Sequence, residues 1–291
     1  LQAARRETDR TKRYDLYRQA EQKIVDDASI IPTYWPVDHQ VIKPCVKDYP
    51  SVSMTIPKYR YISIDPKAKS VAGTATHTLV AINDGVRRVD FDAAEMTVKK
   101  VTVAGKPAKF DYDDPVLHVE LPRMKAGAQT QVAIAYSAKP RRGLWFTAPD
   151  KEYPKKPLQA WTQGQDEDSR HWYPCIDYPN HQQTSEVIVT VPAAMISIGN
   201  GALKSVKENR RNGTKTYHWQ QDVPHVTYLL SQIVGTFAEI RHRADGTPLE
   251  YFGPVGREAD LERTLANTPA MLRFFNEATG VNYPYPRYAQ T

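Results

Sequence analysis

Between residues 74 and 138 the chain breaks into short runs rich in Val, Thr, Ile and Tyr, and this punctuation leaves few folds open. The runs are "TATHTLVAIN" (74–83), "VDFDA" (89–93), "MTVKKVTVAG" (96–105), "AKFDYD" (108–113), "VLHVEL" (116–121) and "TQVAIAYSA" (130–138). Their residue types suit a pleated, half-buried surface. Turn chemistry separates them, at Asn83–Asp84–Gly85, Gly105–Lys106–Pro107 and Ala126–Gly127. Short strands with turns between them predict a mainly β fold, an antiparallel β-sandwich or saddle-like sheet pair. The pattern resumes in "SEVIVTVP", "KTYHWQQ" and "HVTYLLSQIVGTFAEI".

The flanks read differently. Residues 5–29 place Tyr14, Tyr17, Ala20, Ile24 and Ala28 at three- and four-residue spacing with charge between them, which predicts an amphipathic helix. An extended segment follows, broken by Pro32, Pro36 and Pro44, too many prolines for a central strand. Helical spacing returns over 258–279, with Leu261, Leu265, Leu272 and Phe275 on one face and Gly280 as a stop. Pro269 predicts either a kink or a second helix that Thr268 caps.

Several function classes are excluded or disfavoured. The longest apolar runs fall short of a membrane span, and the N-terminus has no apolar core of a secretory signal. The first residue is Leu, so a longer parent protein is expected. The net charge is +6, but no basic stripe is interleaved with stacking aromatics, so nucleic acid is not expected as a partner. Cys45 and Cys175 are expected to be thiols, which leaves the redox compartment open. None of the eight histidines is followed by Glu, so HExxH is absent. GxSxG, P-loop and GxGxxG motifs are absent too. His171 and His181, with Asp166 or Asp168, make the nearest approach to a metal set, without the spacing of a zinc site. No residue is assigned a catalytic role, no metal is expected on this chain, and the chain alone is expected to be inactive.

One stretch does not reduce to sheet pattern: "WTQGQDEDSRHWYPCIDYP", residues 161–179. Its carboxylates, Asp166 to Asp168, read either as an acid–base cluster or as solvated turn residues. Arg170 and Asp177 are expected to pair and hold the loop, and Pro174 and Pro179 to stiffen it. The bland reading is a rigid, partly buried loop that projects from a β domain.

This loop resembles the Gln-x-Glu/Gln … Arg … Phe/Tyr-Pro-Cys-x-Asp-x-Pro loop in the N-terminal domain of zinc aminopeptidases of the aminopeptidase N family. The flanks "IDPKAKSVAGTATHTLVAI", "TSEVIVTVP", "ISIGNGAL" and "FFNEATGVNYPYPRYAQ" are similar to the same family, so the resemblance covers roughly residues 62–291. It implies that the loop reaches into a catalytic cleft and that Gln165, with Gln163 lining the same pocket, receives a peptide's free α-amino group. It also implies zinc for the complete family protein and a catalytic domain as partner, carrying the Gly-x-Met-Glu-Asn loop and HExxH helix expected beyond Thr291. Residues 5–62 instead resemble the C-terminal tail of periplasmic oligopeptide- and dipeptide-binding proteins, through Asp26–Asp27, the Ile-Pro-Thr-Tyr segment and a Lys-Pro turn. That tail is too short for a core of its own, and it suggests the periplasm or cell envelope. The expected organisation is a receptor-like tail (1–63), an aminopeptidase-type β domain (64–243) and the start of a catalytic domain (244–291). The alternatives are an inactive β-sandwich interaction scaffold and a component of peptide import.

Overall fold

The computed structural model describes residues 11, 12, 15, 18, 19 and 52–291. The five N-terminal residues are helical. The rest of the predicted helix, the proline-broken segment with Cys45, and the receptor-like tail up to residue 51 lie outside the described residues.

Among the described residues eighteen strands form four sheets. The largest sheet contains β1 (Val52–Asp65), β2 (Ser70–Ala81), β4 (Met96–Val103), β5 (Lys106–Pro107), β8 (Gln129–Ala138), β11 (Gln182–Pro192), β13 (Ala202–Asn209) and β14 (Thr214–Val226). Its order is β13-β14-β11-β1-β2-β8-β4-β5. A second sheet contains β9 (Gly143–Thr147), β10 (Gln159–Gln163), β12 (Ile196–Gly199) and β15 (Gln232–Gly235), ordered β12-β15-β10-β9. A third holds β3 (Val86–Asp92), β6 (Phe110–Asp113) and β7 (Val116–Met124), ordered β3-β7-β6. A fourth holds β16 (Ala238–Ala244), β17 (Thr247–Gly253) and β18 (Tyr288–Gln290). The fold is mainly β with predominantly antiparallel pairing. The exceptions are β17 with β18, and β1 with β11, where Tyr61 faces Ile188 and Ile62 faces Val189.

Alternation decides which face of each strand is buried. In β11, Val187, Val189 and Val191 point inward between the more exposed Glu186, Ile188 and Thr190. In β8, Val132, Ile134 and Tyr136 do the same. Each such side chain contributes roughly 1.5–3 kcal/mol on burial. One hydrophobic cluster joins these strands, and it also takes in Trp172, Tyr173 and Cys175 from the 161–179 stretch. All three are fully buried. The stretch is therefore part of the core, and only its tip projects.

A smaller cluster, Ala244, Leu249, Tyr251 and Leu272, packs the fourth sheet against α1 (Glu258–Leu265) and α2 (Thr268–Thr279). Pro269 lies in the first turn of α2, so the second-helix alternative holds. The cap position belongs to Asn267 rather than Thr268, whose hydroxyl instead donates to Gln290 Oε1 at 2.9 Å. The buried line of α2 runs through Thr268 and Leu272, four positions apart. Leu272 is buried, but Phe275, expected on the same face, is exposed. Gly280 ends α2 in the left-handed region, φ 69°.

Candidate functional site

The candidate site begins on a hairpin. Strand β10 pairs with β9 in the register Trp161 to Trp145, Thr162 to Leu144 and Gln163 to Gly143. The first residues of the 161–179 stretch are therefore strand, where the sequence reading has a single loop. Leu144 and Ala160 face the core and are fully buried. Trp161 and Gln163, one residue out of phase with Ala160, stand on the opposite face.

Beyond Gln163 the chain turns within very little space. A Cβ on Gly164 would lie 2.7 Å from Ser169 Oγ and 2.9 Å from the Tyr228 Cα. A Cβ on Gly143 would lie 1.9 Å from the Asp168 carbonyl oxygen, and Gly143 has φ 72°. Both glycines let the 164–169 turn sit flat on the hairpin. Gly143→Ala is expected to destabilise the domain by about 1–3 kcal/mol through overpacking and strain, read as a lowered denaturation midpoint. An unchanged midpoint would mean that the turn moves aside freely.

Arg170 ties the turn down. Its backbone N–H donates to Asp177 Oδ2 at 3.0 Å and its Nε to the same oxygen at 3.3 Å. Nη2 donates to Glu167 Oε2 at 2.7 Å and to the Asp177 carbonyl at 3.2 Å. Nη1 lies 3.3 Å from Asp92 Oδ1, at the end of β3. Asp92 in turn accepts the Asp177 N–H on Oδ2 at 2.9 Å, and it exchanges backbone hydrogen bonds with Cys175 at 2.7 and 3.0 Å. The Ala94 N–H donates to the Arg170 carbonyl at 2.9 Å. From the other side, Thr227 Oγ1 donates to the Ile176 carbonyl at 3.0 Å, and Ser169 Oγ donates to the Thr227 carbonyl at 3.3 Å. His77 Nε2 donates to the Pro174 carbonyl at 2.9 Å. The turn is thus fastened to β3, to β2 and to the short 3-10 turn Thr227–Leu229 that follows β14.

Three carboxylates share this one guanidinium, and the electrostatics follow. Burial pushes the Asp177 carboxyl up from 3.8 to about 6. The Arg170 hydrogen bonds and charge oppose that rise, and the Asp92 charge adds to it. Asp177 is almost fully buried, and its Oδ1 has no hydrogen-bond partner. Burial lowers the His171 imidazole below its usual value. Of the acidic run, Glu167 is held by Arg170, and Asp168 lies 4.0 Å from Arg142 and 3.9 Å from His171. These pairings describe a turn held by salt bridges more readily than an acid–base cluster.

Gln163 and Gln165 are exposed at the tip, and the Gln165–Asp166 peptide bond is cis. Pro174 is buried and Pro179 exposed. Two contributors escaped the sequence reading. Asp92 lay unremarked inside a strand, although the alternation Val89, Phe91 against Asp90, Asp92 marks it as a carboxylate at a sheet margin. His77 falls in phase with the buried Ala75 and Leu79, so a histidine on the core register was the available signal.

Residues 57–229 match the model of the Peptidase M1 N-terminal domain family. The chain belongs to that family. Aminopeptidase N of Acetobacter pasteurianus is 30% identical over 173 residues, which span 57% of this chain and 47% of the relative. Transcription initiation factor TFIID subunit 2 of Danio rerio is 22% identical over 270 residues, 77% of this chain and 22% of the relative. This M1 N-terminal domain chain thus spans about half or less of these curated relatives. Among solved structures, an M1 zinc metallopeptidase from Deinococcus radiodurans superimposes with a TM-score of 0.68 at 22% identity, over 83% of this chain and 57% of that one. A mutant of that enzyme bound to Tyr-Ser-Ala gives 0.67. At that identity the likeness establishes the M1 N-terminal fold alone.

The enzyme in these solved structures is named as a zinc metallopeptidase. Among the described residues of this M1 domain, no group of three or more His, Cys, Asp or Glu side chains gathers so as to hold a metal ion. The described residues do not by themselves fit a zinc site.

Proposed function

We propose that this chain forms the substrate-facing, non-catalytic part of a zinc aminopeptidase, and that Gln165, with Gln163 beside it, receives the free α-amino group of a peptide. The supporting observation is the Arg170 fastening. It ties the turn together through Glu167 and Asp177 and to β3 through Asp92, and leaves two neutral amides exposed at the tip. An ammonium group would donate to the Gln165 carbonyl oxygen, without the charge assistance a carboxylate gives. The division into a receptor-like tail (1–63), a β domain (64–243) and the start of a catalytic domain (244–291) is part of the same proposal and rests on sequence resemblance.

One such hydrogen bond contributes roughly 1.5–3 kcal/mol, whereas a millimolar complex needs about 4 kcal/mol. Titrating the chain with Tyr-Ser-Ala is therefore expected to shift the NMR signals of Gln163 and Gln165 with weak, millimolar or poorer affinity. The N-acetylated peptide should leave them unmoved, and Gln165→Ala should remove the response. Equal shifts with the acetylated peptide would overturn the assignment. Micromolar binding would overturn the view that only one wall of a site is present.

A second reading, an interaction scaffold without catalysis, is favoured by the TFIID subunit 2 relatives, whose similarity extends over 77% of this chain. The amine-dependent response separates the two, because a scaffold has no reason to distinguish a free amine from an acetylated one.

A further inference from the structure

Strand β13 ends the eight-stranded sheet and is hydrogen-bonded to β14 alone among the described strands. A sheet edge of this kind offers unpaired backbone donors and acceptors to any chain that can lie beside it. Two further properties set β13 apart from a merely unfinished edge.

The first is the apolar margin. Leu203 faces Trp219 and Val206 faces Tyr217 across the β13–β14 ladder. Trp219 and Tyr217 are buried on the core side, yet Leu203 and Val206 remain 41% and 46% exposed. The apolar face of the sheet therefore runs on past its last neighbour and stops uncovered. On the opposite face, Ser205 and Lys207 border an open groove of about 940 Å³, lined also by Tyr61, Ile188, Thr190, Thr216 and His218. Side chains alternating up and down along an added strand would find an apolar strip on one face and a groove of mixed polar and apolar lining on the other.

The second property is charge. Residues 202–215 contain Lys204, Lys207, Arg210, Arg211 and Lys215 against a single acid, Glu208, and Arg210 Nε lies 3.7 Å from Glu208 Oε2. Lysines on an edge, and a register shift such as the one between Leu203 and Ser205, are ordinary defences against self-association. The same cations repel a second copy of this edge and attract an edge-binding strand of opposite charge. We propose that β13 is a docking site for an extended acidic peptide segment of a partner protein, which adds to the sheet as a ninth strand through backbone hydrogen bonds. The apolar positions of that strand cover Leu203 and Val206, and its carboxylates face the hairpin cations.

The probe is a fluorescein-labelled peptide of about eight residues, an ordinary strand length, with Glu and Val alternating, titrated with the whole chain. Its controls are a Lys-for-Glu version and a version N-methylated at alternate backbone amides. Binding is expected for the acidic peptide, with new hydrogen-exchange protection confined to β13. Lys204→Glu with Lys207→Glu should weaken it by about tenfold, the scale of a few surface charge contacts. N-methylation should abolish it. This second arm alters only the peptide, so the folding of a variant cannot mimic the result. Equal binding of the N-methylated peptide would reduce the contact to charge attraction and overturn the proposal. Equal binding of the Lys version, protection elsewhere than β13, or no binding would overturn it as well.

Discussion

Arg170→Ala is expected to destabilise the β domain by about 3–5 kcal/mol, the cost of removing one partner from a buried ion pair. Asp177 would lose two side-chain donor contacts, one to its carboxylate and one to its carbonyl, while remaining buried, and Asp92 and Glu167 would lose their cation. Only the backbone N–H of residue 170 would stay available to Asp177. For a domain of this size the loss lowers the melting temperature by on the order of 10 °C. The deficit should also depend on pH with a definite sign. Asp177 binds its proton more tightly in the folded chain, about 6 against 3.8. Its contribution to stability is therefore fully present at low pH and declines as pH rises through about 6. Without the guanidinium, its charge and its side-chain hydrogen bond no longer restrain this rise, so the folded carboxyl holds its proton to still higher pH. The gap between variant and wild type should then be small near pH 5 and wide near pH 8, read by denaturant unfolding at both. Asp177→Asn should flatten the pH dependence of the wild type. A deficit below about 1 kcal/mol would show that the clamp does not bear on stability, and a larger deficit equal at both pH values would show that it does not act through the Asp177 carboxyl.

Arg287→Ala is expected to release the C-terminal segment. This guanidinium is mostly buried, its side chain only 8% exposed, and it reaches several sheet elements at once. Nε donates to the Gly201 carbonyl at 2.8 Å, Nη1 to Glu250 Oε2 at 2.7 Å, and Nη2 to the Gly199 carbonyl. The group also lies over the Trp219 ring, 4.5 Å from its centroid. Truncation leaves a partly buried Glu250 and two buried carbonyls without this donor, again about 3–5 kcal/mol. The loss should be local, because the fourth sheet has its own small core. Hydrogen exchange should quicken in β17, β18 and the 199–201 turn, while β2 and β8 keep their protection. Arg287→Lys should fall between, since an ammonium keeps the charge but not the three-way fork. Unchanged exchange in β17 and β18 would refute the anchoring role.

The sheets were legible in the sequence wherever one face is buried and the other wet, because only then does alternation appear. β2, β8 and β11 satisfy that condition, and their turns are marked by glycines with positive φ such as Gly85 and Gly127. β13 does not satisfy it, since nearly all its residues are exposed, and it left no alternation to read. β9 and β10 are short and end in the irregular turn, so the strand portion merged with the loop. The Arg170–Asp177 contact could be anticipated because both partners lie within seven positions. The Asp92 contact could not, because 78 positions separate it from Arg170 and only the folded sheet brings them together. Phe275 was misplaced because the buried line of α2 is narrow, running through Thr268 and Leu272 at four-residue spacing and leaving out the position three beyond Leu272.

The parallel pairing of β1 with β11 bears on how the chain reaches its fold. Ile62 and Val189 are 127 positions apart. Closing that contact costs about 2 kcal/mol more chain entropy than closing a ten-residue hairpin, and contacts so distant slow folding. During synthesis β1 can take β2 as a neighbour almost at once, but its other edge must wait for β11 to be made. At ordinary translation rates of roughly 5–20 residues per second, the wait is on the order of ten seconds. For that interval a nascent chain exposes the open side of β1, a strand in the middle of the eight-stranded sheet.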